Sequence, residues 1–164
     1  MACTLSARGR DFDVESFLSR TRLPLKRAHF WVRGTPTMRR LKPRRYQDSG
    51  FSEYVSRAGW YDLSAAIKDV LKFLRAHNKE LGKLKRTRGV DDIMLDFGFD
   101  SRVGTEGIAV QGEYLPVELL RLAGQLNIGI GLSLYPPMLE PRTTKRKVAT
   151  KTSRRHGNKN EAKK

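Results

Sequence analysis

Cysteine and long apolar runs are scarce in this chain of 164 residues. Cys3 is the single cysteine, so no internal disulfide can form and a reducing compartment is expected. No stretch approaches the length of about eighteen apolar residues that a transmembrane helix needs. Residues 1–14 also lack the apolar run of about seven residues typical of a signal peptide. These absences predict a soluble cytoplasmic protein without a membrane partner.

Residues that bind metals or perform catalysis are also few. His29, His77 and His156 are far apart, and the chain has neither an HxxxH nor a CxxC motif. A zinc site or a nucleophile activated by a neighbouring base therefore has little to be built from. The sequence predicts a non-enzymatic protein with no cofactor and no bound metal.

Three carboxylates leave one enzymatic alternative open. Asp92, Asp96 and Asp100 follow one another at even spacing, so they would share one face of a strand. The positions between them are mostly apolar, which favours a strand with its apolar side in the core and its acids outside. The alternative is a cation or substrate site of a hydrolase.

Carboxylates are absent from residues 19–47, which contain ten lysines and arginines. The densest part is RRLKPRR, residues 39–45, and two aromatic residues near it, Trp31 and Tyr46, are of the kind that stacks on unpaired bases. The formal net charge of the whole chain is +16. Such clustered basicity indicates a polyanionic partner, either nucleic acid or an acidic protein surface.

The basic residues also define the domain organisation. Residues 140–164 contain ten lysines and arginines, two glutamates and only Val148 as an aliphatic residue beyond alanine. A segment of this composition cannot bury enough apolar surface to offset the conformational entropy that it would lose on becoming ordered. The sequence therefore predicts a single domain over residues 1–139 and a disordered basic tail over residues 140–164.

Hydrophobic periodicity predicts an α+β fold with a mainly antiparallel sheet and helices packed on one face. Apolar residues recur at helical spacing from Leu63 onward, which predicts one long helix over about residues 63–86 with a row of cations opposite. Two shorter helices are predicted near residues 14–20 and 117–126. Among the predicted strands, GIAVQGEYL at residues 107–115 is expected to pair within the sheet.

Residues 50–137 resemble a known group of proteins. The segments GFSEYVSRAG, DDIMLDFGF and LPVELLRLAGQLNIGIGLSLYP are similar to those of small uncharacterised bacterial proteins assigned to domains of unknown function. Some relatives of those proteins have been proposed as immunity proteins of toxin systems. The resemblance implies a shared core and transfers no catalytic motif. An immunity role would imply an acidic toxin as partner, because the domain itself is basic.

We therefore predict that nucleic acid binds through phosphate contacts, and the alternative is an immunity-type or adaptor protein that binds an acidic protein. The choice between DNA and RNA and the oligomeric state stay open. Trp31 and Tyr46 are the predicted stacking residues. The predicted contacts to nucleic acid are Arg33, Arg39, Arg40, Lys42, Arg44, Arg45, Lys68, Lys72, Arg75, Lys79, Lys145, Arg146, Lys147, Arg154 and Arg155.

Overall fold

The computed structural model describes residues 3–37, 44–59, 62–103 and 107–136. The predicted tail, residues 140–164, and the domain boundary at residue 139 lie outside them. The described residues form an α+β fold with four helices and five strands. In chain order the elements are β1 (Cys3–Gly9), α1 (Val14–Arg20), β2 (His29–Trp31), β3 (Ser49–Ser56), α2 (Leu63–Ala76), α3 (Asn78–Lys85), β4 (Asp92–Asp100), α4 (Val117–Gln125) and β5 (Gly129–Tyr135).

The five strands form one mixed sheet in the order β2-β3-β1-β4-β5. The pairs β2–β3, β3–β1 and β1–β4 are antiparallel, whereas β4 and β5 are parallel. A parallel pair needs a crossover connection, and α4 lies in the crossover between β4 and β5. The outer strands β2 and β5 therefore lie at opposite edges of the sheet.

One face of the sheet carries the hydrophobic core. Leu5 of β1 pairs with Leu95 of β4, and both side chains are fully buried beneath the helices. On the same face, the ring of Phe17 in α1 stacks on Phe51 of β3 with their centroids 5.7 Å apart. The opposite face carries polar residues such as Ser6 and has no helix of the described chain over it. The strands thus alternate between a buried side and an open side.

The predicted long helix is divided at His77 into α2 and α3. The His77 backbone, at φ −114° and ψ 16°, leaves the α-helical region, and its N–H donates to the carbonyl of Phe73 as the end of α2. Each half keeps its own leucines in the core: Leu74 in α2, and Leu81 with Leu84 in α3. The apolar stripe was predicted, but the bend within it was not, because a periodic pattern does not report backbone angles.

The predicted strand at residues 107–115 is wrong. Residues 107–116 have no regular secondary structure, and Val110 and Tyr114 in this segment are exposed. The side-chain oxygen of Gln111 accepts a hydrogen bond from the Arg102 N–H at 2.6 Å, which ties the segment to the end of β4. Because β5 occupies the place beside β4, a further strand has no partner there. In the described part of the chain, no helix has the length and apolar character that a bilayer span requires.

Candidate functional site

The segments on either side of residues 38–43 run side by side as an extension of β2. The Gly34 N–H donates to the Tyr46 carbonyl at 2.9 Å, and the Tyr46 N–H donates to the Thr35 carbonyl at 3.0 Å. Further out, the Thr37 N–H donates to the Arg44 carbonyl at 2.7 Å. Gly34 has a φ of 84°, a left-handed conformation that favours glycine. The chain therefore leaves this ladder at Thr37 and re-enters it directly opposite, at Arg44.

Residues 38–43 include three of the predicted nucleic-acid contacts, Arg39, Arg40 and Lys42, which lie outside the described residues. The same holds for the predicted contacts of the tail. These are Lys145, Arg146, Lys147, Arg154 and Arg155. Arg33, Arg44 and Arg45 are described: Arg33 lies next to the base of the ladder, and Arg45 and Arg44 lie on its returning segment, with Arg44 at the outer end.

Three arginines surround one cavity beside this ladder, which we call the arginine pocket. Its volume is about 480 Å³, and Arg10, Arg33 and Arg45 line it together with Tyr46. Gly34 and Gln47 complete the lining. Arg33 and Arg45 were predicted from the acid-free segment, whereas Arg10 was missed because it follows β1, outside that segment. The paired cations of the ARGR sequence at residues 7–10 are the signal that marks it.

Arg10 is held in place by the turn that follows β1. Its backbone N–H donates to Oδ2 of Asp91 at 2.9 Å. Gly89 packs directly against this turn at a φ of 83°, and a Cβ on it would collide with the backbone oxygen of Asp11. Only glycine combines that backbone angle with so close an approach. The turn, and with it Arg10, is therefore positioned by the segment that leads into β4.

Arg33 and Arg45 are oriented by hydrogen bonds to the backbone. The Arg33 guanidinium donates to the Arg10 carbonyl at 3.3 Å, and the backbone N–H of Arg33 donates to the side-chain Oγ of Ser49 at 3.1 Å. The Arg45 guanidinium donates to the carbonyl of Gly34. A guanidinium has five N–H donors, so these bonds set the direction of the side chains without using their full capacity to bind an anion.

One carboxylate also reaches the arginine pocket. Oδ1 of Asp11 lies 3.3 Å from the guanidinium of Arg33, and the two side chains are 83% and 45% exposed, respectively. An ion pair between such exposed groups contributes only about 0–1 kcal/mol. The pair therefore leaves the Arg33 guanidinium available to another anion. Three arginines line the pocket, against Asp11 on Arg33 and Asp91 on the backbone N–H of Arg10.

Trp31 and Tyr46 form an aromatic stack next to the arginine pocket. Their ring centroids are 5.9 Å apart with the planes inclined by 26°, and the His29 ring centroid lies 6.0 Å from that of Trp31. The indole N–H of Trp31 donates to Oδ1 of Asp48 at 2.8 Å. Tyr46 belongs to both groups, since it also lines the pocket. The structure thus brings both predicted stacking residues together with two of the predicted arginines.

The predicted cations of the long helix lie elsewhere. Lys68 and Lys72 are exposed on α2, and Lys79 is exposed on α3. Arg75 forms an ion pair with Glu118 of α4. None of these four lines the arginine pocket. They lie on the helices α2 and α3.

The carboxylates of β4 do not form a pair. Asp92 binds Arg8 at 3.1 Å, Asp96 accepts a hydrogen bond from the Ser133 hydroxyl at 2.8 Å, and Asp100 is buried at the end of the strand. Four residues of extended strand separate successive aspartates by about 13 Å, too far for two carboxylates to share an ion. Within the described ranges, no group of three or more His, Cys, Asp or Glu residues is placed to hold a metal ion.

The single thiol has the properties of a core residue. Cys3 is buried, and burial followed by the charge of Asp96 raises its pKa well above the ordinary range of a cysteine. A reactive cysteine needs the opposite shift, because the thiolate is the nucleophile. Cys3 therefore lacks the environment of a catalytic nucleophile.

No protein-family model, no curated protein and no solved structure matches the chain. The resemblance of residues 50–137 to uncharacterised bacterial domains stays a prediction. The arginine pocket and the aromatic stack are therefore the features from which a function can be inferred.

Proposed function

We propose that the protein binds single-stranded nucleic acid, with a backbone phosphate in the arginine pocket and an unpaired base against Trp31 or Tyr46. One observation carries the proposal: three arginines line a cavity that shares Tyr46 with an aromatic stack. Every nucleotide has a phosphate close to its base. In this protein, the arginines that can bind a phosphate are likewise close to the aromatic rings that can stack on a base.

Guanidinium groups suit the phosphate side of this contact. A guanidinium is planar and permanently charged, and its N–H groups match two phosphate oxygens at once. Each neutralised phosphate releases condensed counterions, so the affinity falls as salt is added. The electrostatic contribution to the affinity would then have two sources. One is a single location that contains Arg10, Arg33 and Arg45, and the other is the diffuse charge of the remaining chain.

The position of the aromatic stack suits the base side. Trp31 lies in β2, an edge strand, and both rings are partly exposed. A base inside a duplex has its faces covered by its neighbours, whereas an unpaired base can stack on an exposed ring. Stacking is tolerant of base identity, so we expect weak sequence preference.

Charge-neutralising variants of the full chain test the proposal. The first combines Arg10→Gln, Arg33→Gln and Arg45→Gln; the matched control combines Lys68→Gln, Lys72→Gln and Lys79→Gln, which removes the same charge from the helices. Fluorescence anisotropy with a labelled single strand measures both affinities. Because about 0.7 counterions are released per neutralised phosphate on single strands, and the pocket is proposed to hold one phosphate, the pocket variant is expected to lose about 0.7 units of the salt slope.

The comparison separates a localised site from general basicity. A larger loss for the pocket variant than for the helix variant supports the arginine pocket. Equal losses would show that the binding is electrostatic without a site. Absence of binding by the unaltered chain at about 50 mM salt, where a basic protein binds most strongly, would refute the proposal.

An acidic protein is the second candidate partner. The contact between Arg33 and Asp11 favours this candidate, because a carboxylate already binds the Arg33 guanidinium there. Capture of partners on the immobilised chain, with and without nuclease, separates the two candidates. A partner that is retained after nuclease treatment, and lost in the pocket variant, would favour a protein.

A further inference from the structure

The edge of the sheet opposite the arginine pocket is apolar. Of the ten large hydrophobic side chains that are exposed among the described residues, three lie on the outer strand β5: Leu132, Leu134 and Tyr135. In the sequence, residues 103–136 contain three glutamates and one arginine, although the whole chain carries a net charge of +16. Leu132 and Leu134, on the outer strand β5, are 46% and 56% exposed. Exposed leucines in a row are unusual for a surface that meets only water.

The outer edge of β5 also lacks the usual protection against pairing. Edge strands are commonly short, charged, bulged or interrupted by proline. β5 has seven residues, GIGLSLY, with no charge and no proline, and its register with β4 is continuous. The other edge strand, β2, has three residues and is followed by a bridge at Pro36. Of the two edges of this sheet, only the β2 edge therefore has features that hinder pairing with another strand.

The direction of the β5 backbone identifies the groups on its outer side. The Tyr135 carbonyl accepts a hydrogen bond from the Ser101 N–H at 2.7 Å, so Tyr135 turns its backbone groups toward β4. Because successive residues of a strand alternate, Ile130, Leu132 and Leu134 turn theirs outward. No strand in the described part of the chain pairs with them.

We propose that this edge binds a second copy of the chain, with the two β5 strands antiparallel across a two-fold axis at Leu132. This register opposes Leu132 to itself and Ile130 to Leu134, and it uses the backbone groups that point outward. On the open face it opposes Gly129 to Tyr135, where an aromatic ring can cover the glycine. Large residues thus meet small ones, and apolar residues meet apolar ones.

Charge distribution favours a second copy over other occupants. Two β5 strands carry no charge, so their approach is free of the repulsion that any contact between the basic surfaces would incur. The tail of the same chain is a poor match, because its 25 residues contain ten cations and one aliphatic side chain beyond alanine. A two-fold pairing also closes, so it produces a dimer and no open polymer.

Sedimentation velocity of the nuclease-treated full chain tests the dimer. At about 1 M salt, where the Debye length is about 3 Å, association through nucleic acid or surface charge is suppressed. We expect a species of twice the 18.7 kDa of one chain. Leu132→Lys is expected to raise the dissociation constant by about 100-fold, because it removes two buried leucines and opposes two like charges. The control Val110→Lys, at a residue 82% exposed and outside β5, is expected to leave it unchanged.

Oxidative crosslinking tests the register and does not depend on the stability of the lysine variant. Leu132→Cys is expected to form an intermolecular disulfide, since opposed residues of a hydrogen-bonded pair have Cα atoms about 5.5 Å apart. Val110→Cys is expected to form none. A monomer at all concentrations, a larger polymer, or a dimer that survives Leu132→Lys without a crosslink in Leu132→Cys would each overturn the proposal.

Discussion

The indole of Trp31 stacks on the phenol of Tyr46, with ring centroids 5.9 Å apart. Trp31 lies on β2 and Tyr46 on the returning segment, so the contact spans the two sides of the ladder that borders the arginine pocket. Gly50 lies beneath the indole and leaves room for it. The stack therefore has a structural role, and we propose that its exposed edges have a second role in binding bases.

Replacement of Trp31 is expected to weaken the binding of single-stranded nucleic acid. Trp31→Ala removes one stacking surface, and such surfaces contribute about 1–3 kcal/mol per base. Trp31→Phe keeps a ring and is expected to retain most of the affinity. Fluorescence anisotropy at fixed salt measures both variants.

Tyr54→Ala is the matched control, because Tyr54 is an aromatic residue 54% exposed on β3 that is not part of the stack. Circular dichroism of each variant verifies the fold. Equal affinities of Trp31→Ala and Tyr54→Ala would contradict the role of the stack.

Gly50→Ala is expected to destabilise the fold. A Cβ at this position would lie 2.5 Å from the Trp31 ring and 2.6 Å from the Ala7 carbonyl oxygen, which belongs to the neighbouring strand. Overpacking of this kind costs about 1–3 kcal/mol. The control is Gly124→Ala, since Gly124 lies in α4 with nothing within 4 Å of the added atom. That change is expected to stabilise by about 0.5–1 kcal/mol.

Urea unfolding monitored by circular dichroism measures both free energies of unfolding. The two variants are expected to shift the midpoint in opposite directions. A Gly50→Ala variant as stable as the unaltered chain would mean that Trp31 does not lie over Gly50.

The free energy of unfolding is expected to depend on Cys3 at alkaline pH. Burial and Asp96 raise the pKa of this thiol in the folded state, whereas in the unfolded chain a thiol ionises near pH 8.5. Above that pH the unfolded state loses a proton that the folded state keeps, so stability falls as the pH rises. Below it, both states are protonated and the contribution is fully present.

Comparison with Cys3→Ala isolates this effect from the titration of lysines and tyrosines. The stability of the unaltered chain relative to the variant is expected to fall by at most about 1.4 kcal/mol per pH unit above pH 8.5. Urea unfolding at pH 7 and pH 10 measures it. A difference between the two proteins that is the same at both pH values would be inconsistent with a buried neutral thiol.

The two proposals together predict that long strands bind more tightly than short ones. In a β5-paired dimer, the β2 edges would lie at the two ends of a ten-stranded sheet, roughly 40 Å apart at about 4.8 Å per strand. A single strand that spans both pockets would gain from effective concentration. Leu132→Lys is expected to remove this gain and to leave the affinity for a short oligonucleotide unchanged. Loss of short-strand affinity in that variant would indicate that β5 itself takes part in binding.

Much of the fold can be predicted from the sequence because its signals are local. The apolar stripe of Leu63, Ile67, Val70 and Leu74 predicts α2, and Asp62 caps its first turn by accepting from the Ala65 N–H. The segment at residues 107–115 also contains several apolar residues, yet it forms no strand, and β5 pairs with β4 instead. Competition between segments for one edge is a property of the whole chain and leaves no local signal.

The candidate site shows the same limit. Arg33, Arg45, Trp31 and Tyr46 lie within one stretch of sequence, so composition alone groups them. Arg10 joins them only because the turn after β1 packs against the segment before β4. The exposure of the edge at Leu132 is not predictable from the sequence either. An alternating sequence pattern is the same for a strand at the edge of a sheet and for a strand with neighbours on both sides.

Photocrosslinking of a 4-thiouridine-labelled single strand to the full chain, followed by peptide mass spectrometry, tests the central claim most directly. It identifies the side chains that lie against the bases, whatever the source of the affinity. We predict adducts on the peptides that contain Trp31 and Tyr46, and their loss in the pocket variant. Adducts confined to residues 140–164 or to the helices would contradict the claim that the arginine pocket and the aromatic stack form the binding site.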